Sequence, residues 1–391
     1  MKSTVYRRGP DGSIVGIPES ESRDRRPSGR TKSPSKLKVK KPPILTGSLP
    51  KRPSAKTPIP RKNRTARPLS GLGSKLRQSV HLLRAVVIGY LVFYVLLGAW
   101  FSSALTKTQA TPQKPIADTR GTNWLLVGSD SRKGLTLKEQ HQLHTGADEG
   151  AQRTDVIMVL HFGSGGSPTL LSLPRDSYVT IPSHVSLDGT NVAKKKNKIN
   201  AAYSFGGAPL LVATVEANTG LHIDHYMEIG FVGVRDVTNA VKGVNICVPQ
   251  KYNDKNSGLK VNKGCQVMNG KTALAYVRMR YADPTGDIGR IQRQQQFLAA
   301  LVHKVATVKV MANPLRMVYV AKAGSDSVIV GSGDGLIDMA RLGLAMRSLS
   351  GGKANVATVP LSNPDASSPV GSVVLWDKDK AASLFESLGA K

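Results

Sequence analysis

Residues 155–173 read DVIMVLHFGSGGSPTLLSL, and this stretch decides the fold. Two apolar runs, Asp155–Phe162 and Thr169–Leu173, flank a segment of glycine, serine and proline, Gly163–Pro168. A short apolar run bounded by turn residues is typical of a strand buried in a sheet, and the glycine-rich segment predicts the turn between two such strands. The stretch therefore predicts neighbouring strands of a buried β-sheet.

Strands and helices are mixed along the rest of residues 121–391. Further strands are predicted at Trp124–Gly128, Tyr178–Ile181, Val356–Pro360 and Val370–Trp376, and helices at Ala208–Asn218, Asp287–Ala306, Leu336–Leu349 and Lys378–Leu388. This mixture over one long segment predicts an α/β domain with helices on both faces of the sheet.

An uncharged segment of 21 residues, Ala85–Leu105, precedes the domain and reads AVVIGYLVFYVLLGAWFSSAL. About 20 helical residues span the hydrocarbon core of a bilayer, whereas the apolar region of a signal peptide has only about 7–15. The segment therefore predicts one transmembrane helix, and residues 106–120 predict a linker to the domain.

The positive charge of the chain, +29 overall, is unevenly distributed. Residues 1–84 carry 22 Lys and Arg against 4 Asp and Glu and few apolar residues, which predicts a disordered basic tail. Because the basic excess precedes the apolar segment, the tail is predicted to be cytoplasmic and residues 106–391 extracytoplasmic. The uneven charge also predicts two separate anionic partners, one for each part of the chain.

The chain has two cysteines, Cys247 and Cys265. They form neither a CxxC motif nor the four-ligand spacing of a zinc site. In an oxidising compartment they are predicted to form one disulfide, the alternative being two free buried thiols.

Charged clusters interrupt the apolar pattern, several of them at the ends of predicted strands. They are GSDSR with Asp130, RTD with Arg153 and Asp155, LPRD with Arg175, KIN with Lys198 and Asn200, VRMR with Arg278 and Arg280, and DIGRIQRQ with Asp287, Arg290, Arg293 and Gln294. Any single cluster is more often a solvated surface group. Several arginines at strand ends, however, favour a phosphate site, because guanidinium forks match phosphate oxygens and ligands of an open α/β sheet bind outside strand ends.

Spacing groups several of these side chains. Alternation places Arg278 and Arg280 on one face of a predicted strand. Helical spacing places Arg290, Arg293 and Gln294 on one polar stripe of a predicted helix. Both groupings concentrate hydrogen-bond donors on single faces.

Asp130 and Asp155 are candidate ligands of a hard cation such as Mg²⁺. This ion commonly takes one or two carboxylates together with substrate phosphates. Arginines, carboxylates and Mg²⁺ together stabilise the charge that develops in phosphoryl transfer. The sequence contains no GxxxxGK[ST] loop, no HExxH motif and no GxSxG elbow, which argues against three common enzyme classes.

The motifs GSDSR, RTD, LPRD, KIN, VRMR and DIGRIQRQQ, in this order over residues 121–391, resemble the LytR–CpsA–Psr family of bacterial wall enzymes. The resemblance implies a three-layer α/β/α domain with a central mixed sheet and an apolar groove for a polyprenyl-phosphate lipid. It implies a phosphotransferase that moves a glycopolymer from a polyprenyl-pyrophosphate carrier to the 6-hydroxyl of peptidoglycan muramic acid. A magnesium-dependent pyrophosphatase activity often accompanies the transfer in this family.

The resemblance also assigns roles by motif. Asp130 and Asp155 would bind the metal, Mg²⁺ or Mn²⁺. The catalytic arginines that grip the pyrophosphate would be Arg153, Arg175, Arg278, Arg280 and Arg290, and the substrate-binding residues would be Lys198, Asn200, Arg293 and Gln294. Asp287 would orient an arginine. The proton acceptor stays open between Asp155 and a metal-bound hydroxide.

Two phrases, GTNWLLVGSDSRKGL at 121–135 and IDHYMEIGF at 223–231, resemble actinobacterial members of the family. For those members the polymer would be arabinogalactan or a related wall glycan, whereas other bacteria attach teichoic acid or capsule. Because the chain ends at Lys391, the extra C-terminal domain of some relatives is not expected.

Two other functions compete with the transferase. A membrane-bound transcription attenuator would bind DNA through the basic tail. The tail has no base-reading pattern, and anionic lipid on the inner leaflet explains its charge with fewer assumptions, so no specific nucleic acid is expected as a partner. A non-catalytic polyprenyl-phosphate-binding scaffold would keep the pocket but would have little use for the acidic loops. The expected partners are the lipid-linked glycan, peptidoglycan and the cell membrane.

Overall fold

The computed structural model of the chain describes residues 4–8, 14–18, 70–132, 135–145, 154–163, 167–186, 188–280, 282–350 and 354–390, with the backbone alone at 4–8, 14–18, 70–76, 287, 349 and 350. These residues fall into two units, Met1–Pro68 and Leu69–Lys391. In the first unit, β1 (Thr4–Arg8) and β2 (Ile14–Pro18) pair as an antiparallel hairpin that the sequence did not predict. Most of the tail predicted to be disordered lies outside the described residues.

The second unit contains all four predicted helices and six of the seven predicted strands, the exception being the strand predicted at Arg278 and Arg280. Most ends are shifted by a few residues, α3 begins nine residues before the predicted Ala208, and several further elements were not predicted. The helices are α1 (Ser70–Ala104), α2 (Leu137–Gln142), α3 (Ile199–Thr219), α4 (Phe231–Ala240), α5 (Gly270–Arg278), α6 (Gly286–Val305), α7 (Val308–Met311), α8 (Pro314–Ser327), α9 (Leu336–Ser350) and α10 (Lys378–Ser387). The longer strands are β4 (Thr122–Ser129), β5 (Thr154–Phe162), β6 (Thr169–Ser172), β7 (Tyr178–Ile181), β11 (His225–Ile229), β12 (Val244–Val248), β15 (Gly264–Met268), β16 (Val328–Gly331), β17 (Asn355–Thr358), β18 (Leu361–Ser368) and β19 (Gly371–Trp376). The short strands are β3 (Thr106–Thr108), β8 (His184–Val185), β9 (Asn191–Val192), β10 (Lys195–Lys198), β13 (Tyr252–Asp254) and β14 (Leu259–Val261).

The largest sheet has seven strands in the order β17-β6-β5-β4-β11-β16-β3. The pairs β17–β6, β4–β11 and β16–β3 are parallel, and the pairs β6–β5, β5–β4 and β11–β16 are antiparallel. The sheet is therefore mixed, as the resemblance implied.

Helices cover both faces of this sheet. Along β4, Leu125 and Val127 point to one face and belong to a core shared with α3 and α10. Trp124 and Leu126 point to the other face and pack with residues of α9. Because successive side chains of a strand alternate between faces, this double burial requires a helical layer on each side, and the three-layer α/β/α architecture is confirmed.

A third core lies beside the sheet, built by β12 to β15 together with α4, α5 and α6. Its largest fully buried side chain is Tyr276 of α5. Cys247 and Cys265 lie opposite each other on β12 and β15 and form the predicted disulfide. Within this core, strands β12 to β15 and helix α4 pack against α5 and α6 and hold these two helices against the end of the sheet.

Removing the disulfide should destabilise the protein without abolishing the fold. The bond closes a loop between residues 18 positions apart. In the chain-entropy account, removing a disulfide that closes a loop of this size lowers the free energy of unfolding by about 3 kcal/mol. Denaturant unfolding of a Cys247→Ser, Cys265→Ser variant checks this, and unchanged stability would contradict it.

Helix α1 carries the membrane span. Its segment Arg77–Ala104 is long and apolar enough to cross a bilayer, and none of it is buried within the structure. The helix begins at Ser70 and not at the predicted Ala85, because no proline interrupts the preceding residues. The predicted linker is also not wholly irregular, because Thr106–Thr108 pairs with β16 through backbone groups at the edge of the sheet.

A pH-dependent ion pair stabilises the start of β11. Nδ1 of His225 lies 2.6 Å from Oδ1 of Asp334, and the imidazole stacks on Trp124 at 4.5 Å between ring centroids. Burial lowers the pKa of His225, but the hydrogen bond and the charge of Asp334 outweigh burial and raise the pKa above the usual 6.5.

The stabilising effect of this pair should fall as the pH rises. A raised folded-state pKa contributes stability that is complete below the unfolded pKa and is lost as the pH rises through the folded pKa. Asp334→Asn should therefore lower the melting temperature more at about pH 5.5 than at about pH 8.5. Equal losses at both pH values would show that the charge of His225 plays no part.

Candidate active site

A cavity of about 260 Å³ opens where the ends of β4 and β5 meet α4, α5 and α6. Its charged lining residues are Asp155, Asp254, Arg278, Arg280 and Arg290, together with the polar Ser129, Asn256, Ser257 and Gln294. A smaller cavity of about 30 Å³ shares Asp155, Arg290 and Gln294 with it and adds Arg175 and Asp176. The two cavities form one cleft, here called the arginine cleft, in which four arginines face three aspartates.

A β-bulge directs Asp155 into the arginine cleft. In the β4–β5 ladder Gly128 pairs with Val156 and Ser129 pairs with Thr154, so Asp155 is the extra residue of β5. A bulge leaves one residue outside the ladder and re-aims its side chain, and bulges are frequent beside active sites. The carboxylate of Asp155 therefore lines both cavities.

A chain of ion pairs runs from Asp155 along the smaller cavity. Nη1 of Arg175 lies 2.5 Å from Oδ1 of Asp155, and Nε of Arg175 lies 3.2 Å from Asp176. Nζ of Lys198 lies 3.0 Å from Asp176 on the other side. Burial raises the pKa of Asp176, but Arg175 and Lys198 more than offset it and hold the pKa below its usual value. The chain fixes Arg175 at the rim of the cleft.

Lys198 and Asn200 stand behind Arg175 and do not line either cavity. The ammonium of Lys198 contacts Asp176, and the backbone N–H of Asn200 donates to the carbonyl of Arg175 at 3.2 Å. Both residues, predicted to bind substrate, are thus placed to hold the loop that carries Arg175.

Arg278 and Arg280 reach the cleft from a helix end, and the prediction of a strand for them was wrong. Arg278 is the last residue of α5, and Met279 follows in an extended conformation with φ −55° and ψ 134°. The side chain of Met279 is fully buried, and both flanking arginines line the cavity. The extended residue Met279 therefore brings Arg278 and Arg280 to the same cavity, as predicted, although Arg278 ends a helix and does not lie in a strand.

Arg278 also anchors a neighbouring loop. Its Nη1 donates to the carbonyl of Leu143 at 2.9 Å and its Nη2 to the carbonyl of His144 at 2.8 Å, while the guanidinium lies 4.8 Å from the ring centroid of Phe231. Burial lowers the pKa of Arg278. Arg132 holds the same loop by donating to the carbonyl of Thr145 at 3.0 Å.

Arg290, Arg293 and Gln294 were predicted on one polar stripe of α6, but only two of them line the cleft. Arg290 and Gln294, one turn apart and 8% exposed each, line both cavities. Arg293 instead pairs with Asp283, and its Nη2 donates to the carbonyl of Met279 at 2.5 Å. Arg293 does not line either cavity, so the structure places it as the support of the loop that carries Arg280.

Arg293→Ala should therefore lose stability more than it loses binding. The change would leave the carboxylate of Asp283 without its guanidinium partner, and breaking a buried ion pair costs about 3–5 kcal/mol. We expect a lower melting temperature and a lower yield of active protein. Activity per folded molecule that is lost with no change in melting temperature would assign Arg293 to the substrate instead.

Two predicted site residues are not fully described. Arg153 lies outside the described residues. Asp287 lies in the first turn of α6, as predicted, but its side chain also lies outside them.

The residues at the ends of β4 and β5 suit a divalent cation with phosphate. Asp130 directly follows β4, and Asp155 lies on the bulge of the neighbouring strand. The buried hydroxyls of Ser129 and Thr154 find no hydrogen-bond partner among the described residues. No group of three or more acidic, histidine or cysteine ligands occurs in the described part of the chain, so a cation here would need oxygens from its substrate.

A buried carboxylate near Asp130 was missed from the sequence. Glu228 is 2% exposed and accepts hydrogen bonds from the phenols of Tyr203, at 3.0 and 2.8 Å, and Tyr226, at 2.8 Å. Burial and then the charge of Glu228 raise the pKa of Tyr203, and the charge of Asp130 adds to this. Tyr226 and Glu228 both lie in the segment IDHYMEIGF. The sequence around an acidic residue in a short strand does not show which side chains will donate hydrogen bonds to it, so this cluster could not be predicted.

Several known proteins similar to this chain are named for cell-wall synthesis. Residues 98–384 match the LytR_cpsA_psr family. A probable cell wall biosynthesis protein LcpB of Corynebacterium glutamicum is 43% identical over 298 residues, covering 76% of this chain and 68% of that protein. The cell wall biosynthesis protein LcpA of the same organism is 33% identical, covering 68% and 56%. A polyisoprenyl-teichoic acid–peptidoglycan teichoic acid transferase TagU of Enterococcus faecalis is 38% identical over 145 residues, covering 37% and 44%.

Solved structures show the same fold. A LytR-Csp2A-Psr enzyme from Actinomyces oris superimposes with a TM-score of 0.56 at 19% identity, over 73% of this chain and 96% of that one. TagV of B. subtilis superimposes with a TM-score of 0.53 at 26% identity, over 70% and 97%. With the match over residues 98–384, these likenesses show that the chain belongs to the LytR_cpsA_psr family.

Proposed function

We propose that this chain is a phosphotransferase that moves a glycopolymer from a polyprenyl-pyrophosphate carrier to the 6-hydroxyl of muramic acid in peptidoglycan. The observation that carries the proposal is the arginine cleft, where Arg280 and Arg290 meet the bulged Asp155. Several relatives are named as transferases between polyisoprenyl-linked teichoic acid and peptidoglycan, which supports the same reaction class.

In the proposed reaction the hydroxyl oxygen of the acceptor attacks the phosphorus that carries the glycan. A new phosphodiester bond forms, and the bond to the bridging oxygen of the pyrophosphate breaks. Polyprenyl phosphate leaves with that oxygen, and the hydroxyl proton passes to a base. Asp155 lines the cleft as a candidate acceptor of this proton. Water in place of the acceptor would give the accompanying pyrophosphatase reaction.

The arginines would supply the electrostatic stabilisation of this reaction. Negative charge grows on the leaving phosphate as the bridging bond breaks. Guanidinium groups already held in place in a partly desolvated cleft stabilise that charge without reorganisation. Arg290 is nearly buried and Arg175 is fixed by two carboxylates, so both are preorganised for this role.

We propose Mg²⁺, or Mn²⁺, as the cofactor. Asp130 and Asp155 would hold it, and the bound cation would neutralise pyrophosphate charge. Ser129 lies in the wall of the cavity, and its buried hydroxyl, which has no partner among the described residues, would be a donor for a phosphate oxygen. The ion pair of Asp155 with Arg175 would then share one carboxylate between guanidinium and cation.

The chain is a single-pass membrane protein with its span in α1. We propose that the basic N-terminal tail faces the cytoplasm and the domain faces the wall, where the acceptor lies. We propose arabinogalactan or a related wall glycan as the polymer, from the resemblance of residues 121–135 and 223–231 to actinobacterial members of the family. The similar proteins of Corynebacterium glutamicum are named for cell wall biosynthesis, which agrees with a wall glycan.

A transfer assay with the full chain in detergent tests the proposal. The protein is mixed with a polyprenyl-pyrophosphate-linked glycan and peptidoglycan fragments, with Mg²⁺ or with a chelator. We expect glycan covalently attached to peptidoglycan and release of polyprenyl phosphate, both dependent on the metal. Tight binding of the lipid-linked glycan without product would support the scaffold function and contradict the transferase.

A further inference from the structure

The segment that joins α6 to α8 exposes an apolar surface beside the transmembrane helix. We call residues 308–319, which comprise α7 and the start of α8, the apolar hairpin. Val308 is 78% exposed, Leu315 74% and Tyr319 67%, and Met311 is 49% exposed. Soluble proteins rarely expose apolar side chains in such a contiguous group, and a larger patch marks a protein or membrane contact.

The apolar hairpin contacts α1 directly. The hydroxyl of Tyr90 donates to the carbonyl of Met311 at 3.0 Å, and the hydroxyl of Tyr94 donates to the same carbonyl. Farther along α1, Phe101 packs against Gly324 of α8. The hairpin therefore runs back along the transmembrane helix from the side on which the domain lies.

These contacts lie at the depth of the membrane interior. A helix rises about 1.5 Å per residue, so Tyr94 lies about 16 Å and Tyr90 about 22 Å before the end of the apolar segment at Leu105. The hydrocarbon core is about 30 Å thick. Even if Arg77 marked the far surface of the bilayer, about 20 helical residues would carry the span beyond Tyr94. The span that begins at Arg77 is the one that fits the contacts of the hairpin, because Tyr94 then lies about 5 Å and Tyr90 about 10 Å from the surface on the side of the domain. The carbonyl of Met311 then lies in the leaflet on that side.

The charges of the apolar hairpin fit a lipid surface. Only Lys309 and Arg316 are charged between residues 305 and 321. Long basic side chains keep their apolar stems in lipid while their charged ends reach the headgroups, and they are attracted to anionic lipid. A soluble partner protein would not reach a surface that lies beside a membrane span. Because the apolar hairpin contacts α1, lipid is the favoured occupant of its exposed apolar surface.

We propose that the apolar hairpin inserts into the leaflet on the side of the domain and forms a second membrane contact beside α1. The insertion fixes the domain at a set height and tilt on the bilayer. Residues Val308, Met311, Leu315 and Tyr319 face the acyl chains, and Lys309 and Arg316 reach the headgroups.

Site-directed fluorescence on the full chain in vesicles tests this insertion. The vesicles contain phosphatidylcholine and phosphatidylglycerol. A single cysteine at Leu315 is labelled with an environment-sensitive dye, and the two native cysteines do not react because they form a disulfide. The matched control is Val356→Cys, since Val356 is also apolar and 51% exposed but lies on β17, at the opposite edge of the sheet from β3.

The label at Leu315 should be quenched several-fold more by nitroxide-bearing lipids than the label at Val356, and less by aqueous iodide. Tyr319→Cys repeats the measurement if Leu315→Cys does not fold. Iodide quenching as strong as at Val356, without quenching by nitroxide lipid, would overturn the proposal. Protection from both quenchers would also overturn it, because the surface would then contact protein.

Discussion

Replacing Arg290 with alanine is expected to lower the rate of glycopolymer transfer by about 10²–10³-fold, the usual effect of removing one preorganised charge-stabilising contact. Arg290 lines both parts of the arginine cleft and is only 8% exposed, so water cannot easily replace its guanidinium. Arg290→Lys should restore only part of the rate, because an ammonium cannot reproduce the bidentate fork. Steady-state transfer kinetics measure both variants.

Arg341→Ala is the control for this substitution. Arg341 lies on α9 with its side chain 68% exposed, and its ion pair with Asp338 at 3.8 Å is a weak surface contact. We expect wild-type transfer from this variant. Melting temperatures must accompany the kinetics, since an Arg290 variant that loses activity only in proportion to its folded fraction would contradict a role in the reaction.

Asp155→Asn should have an effect of similar size with a different signature. The variant keeps the shape of the bulged side chain but removes the charge that would bind Mg²⁺ and that pairs with Arg175. We expect a rate loss of about 10²–10³-fold and a requirement for a much higher Mg²⁺ concentration. Metal titrations of the transfer rate, together with calorimetric Mg²⁺ binding, measure this shift.

Asp176→Asn separates the metal from the ion-pair chain. Asp176 also pairs with Arg175, but it lies beyond Asp155 along the chain of ion pairs. This variant should weaken the positioning of Arg175 and leave the Mg²⁺ dependence unchanged. The same shift in Mg²⁺ requirement in both variants would show that Asp155 has no special role as a ligand.

The parts of the fold that bury long apolar runs could be predicted from the sequence. Strands β5 and β6 and helix α6 each carry an apolar pattern whose period matches its structure. Strand β11 was missed because HYMEI is short and mixes polar with apolar residues. The end of helix α5 and the two residues after it were taken for a strand because VRMR alternates. Asn269 is a residue type that favours a helix start, and it caps α5 by accepting a hydrogen bond from the backbone N–H of Thr272 at 2.9 Å.

The candidate site could be predicted by residue type but not by contact. The order of the motifs predicted that Asp155, Arg280 and Arg290 belong to one site, and the structure places all three in the arginine cleft. The partner of Arg293 is Asp283, which belongs to no recognised motif. The bulge at Asp155 could not be predicted either, because the apolar pattern of β5 shows no interruption there. Long-range pairs and irregular pairing depend on the assembled fold, so sequence spacing does not show them.

A crystal structure of the protein with Mg²⁺ and a short polyprenyl pyrophosphate tests the central claim most directly. The account predicts that the pyrophosphate lies in the arginine cleft, with its oxygens about 3 Å from the guanidinium nitrogens of Arg280 and Arg290. Asp130 and Asp155 would hold Mg²⁺ beside the pyrophosphate. A pyrophosphate bound elsewhere on the domain, with the arginine cleft holding only water, would contradict it.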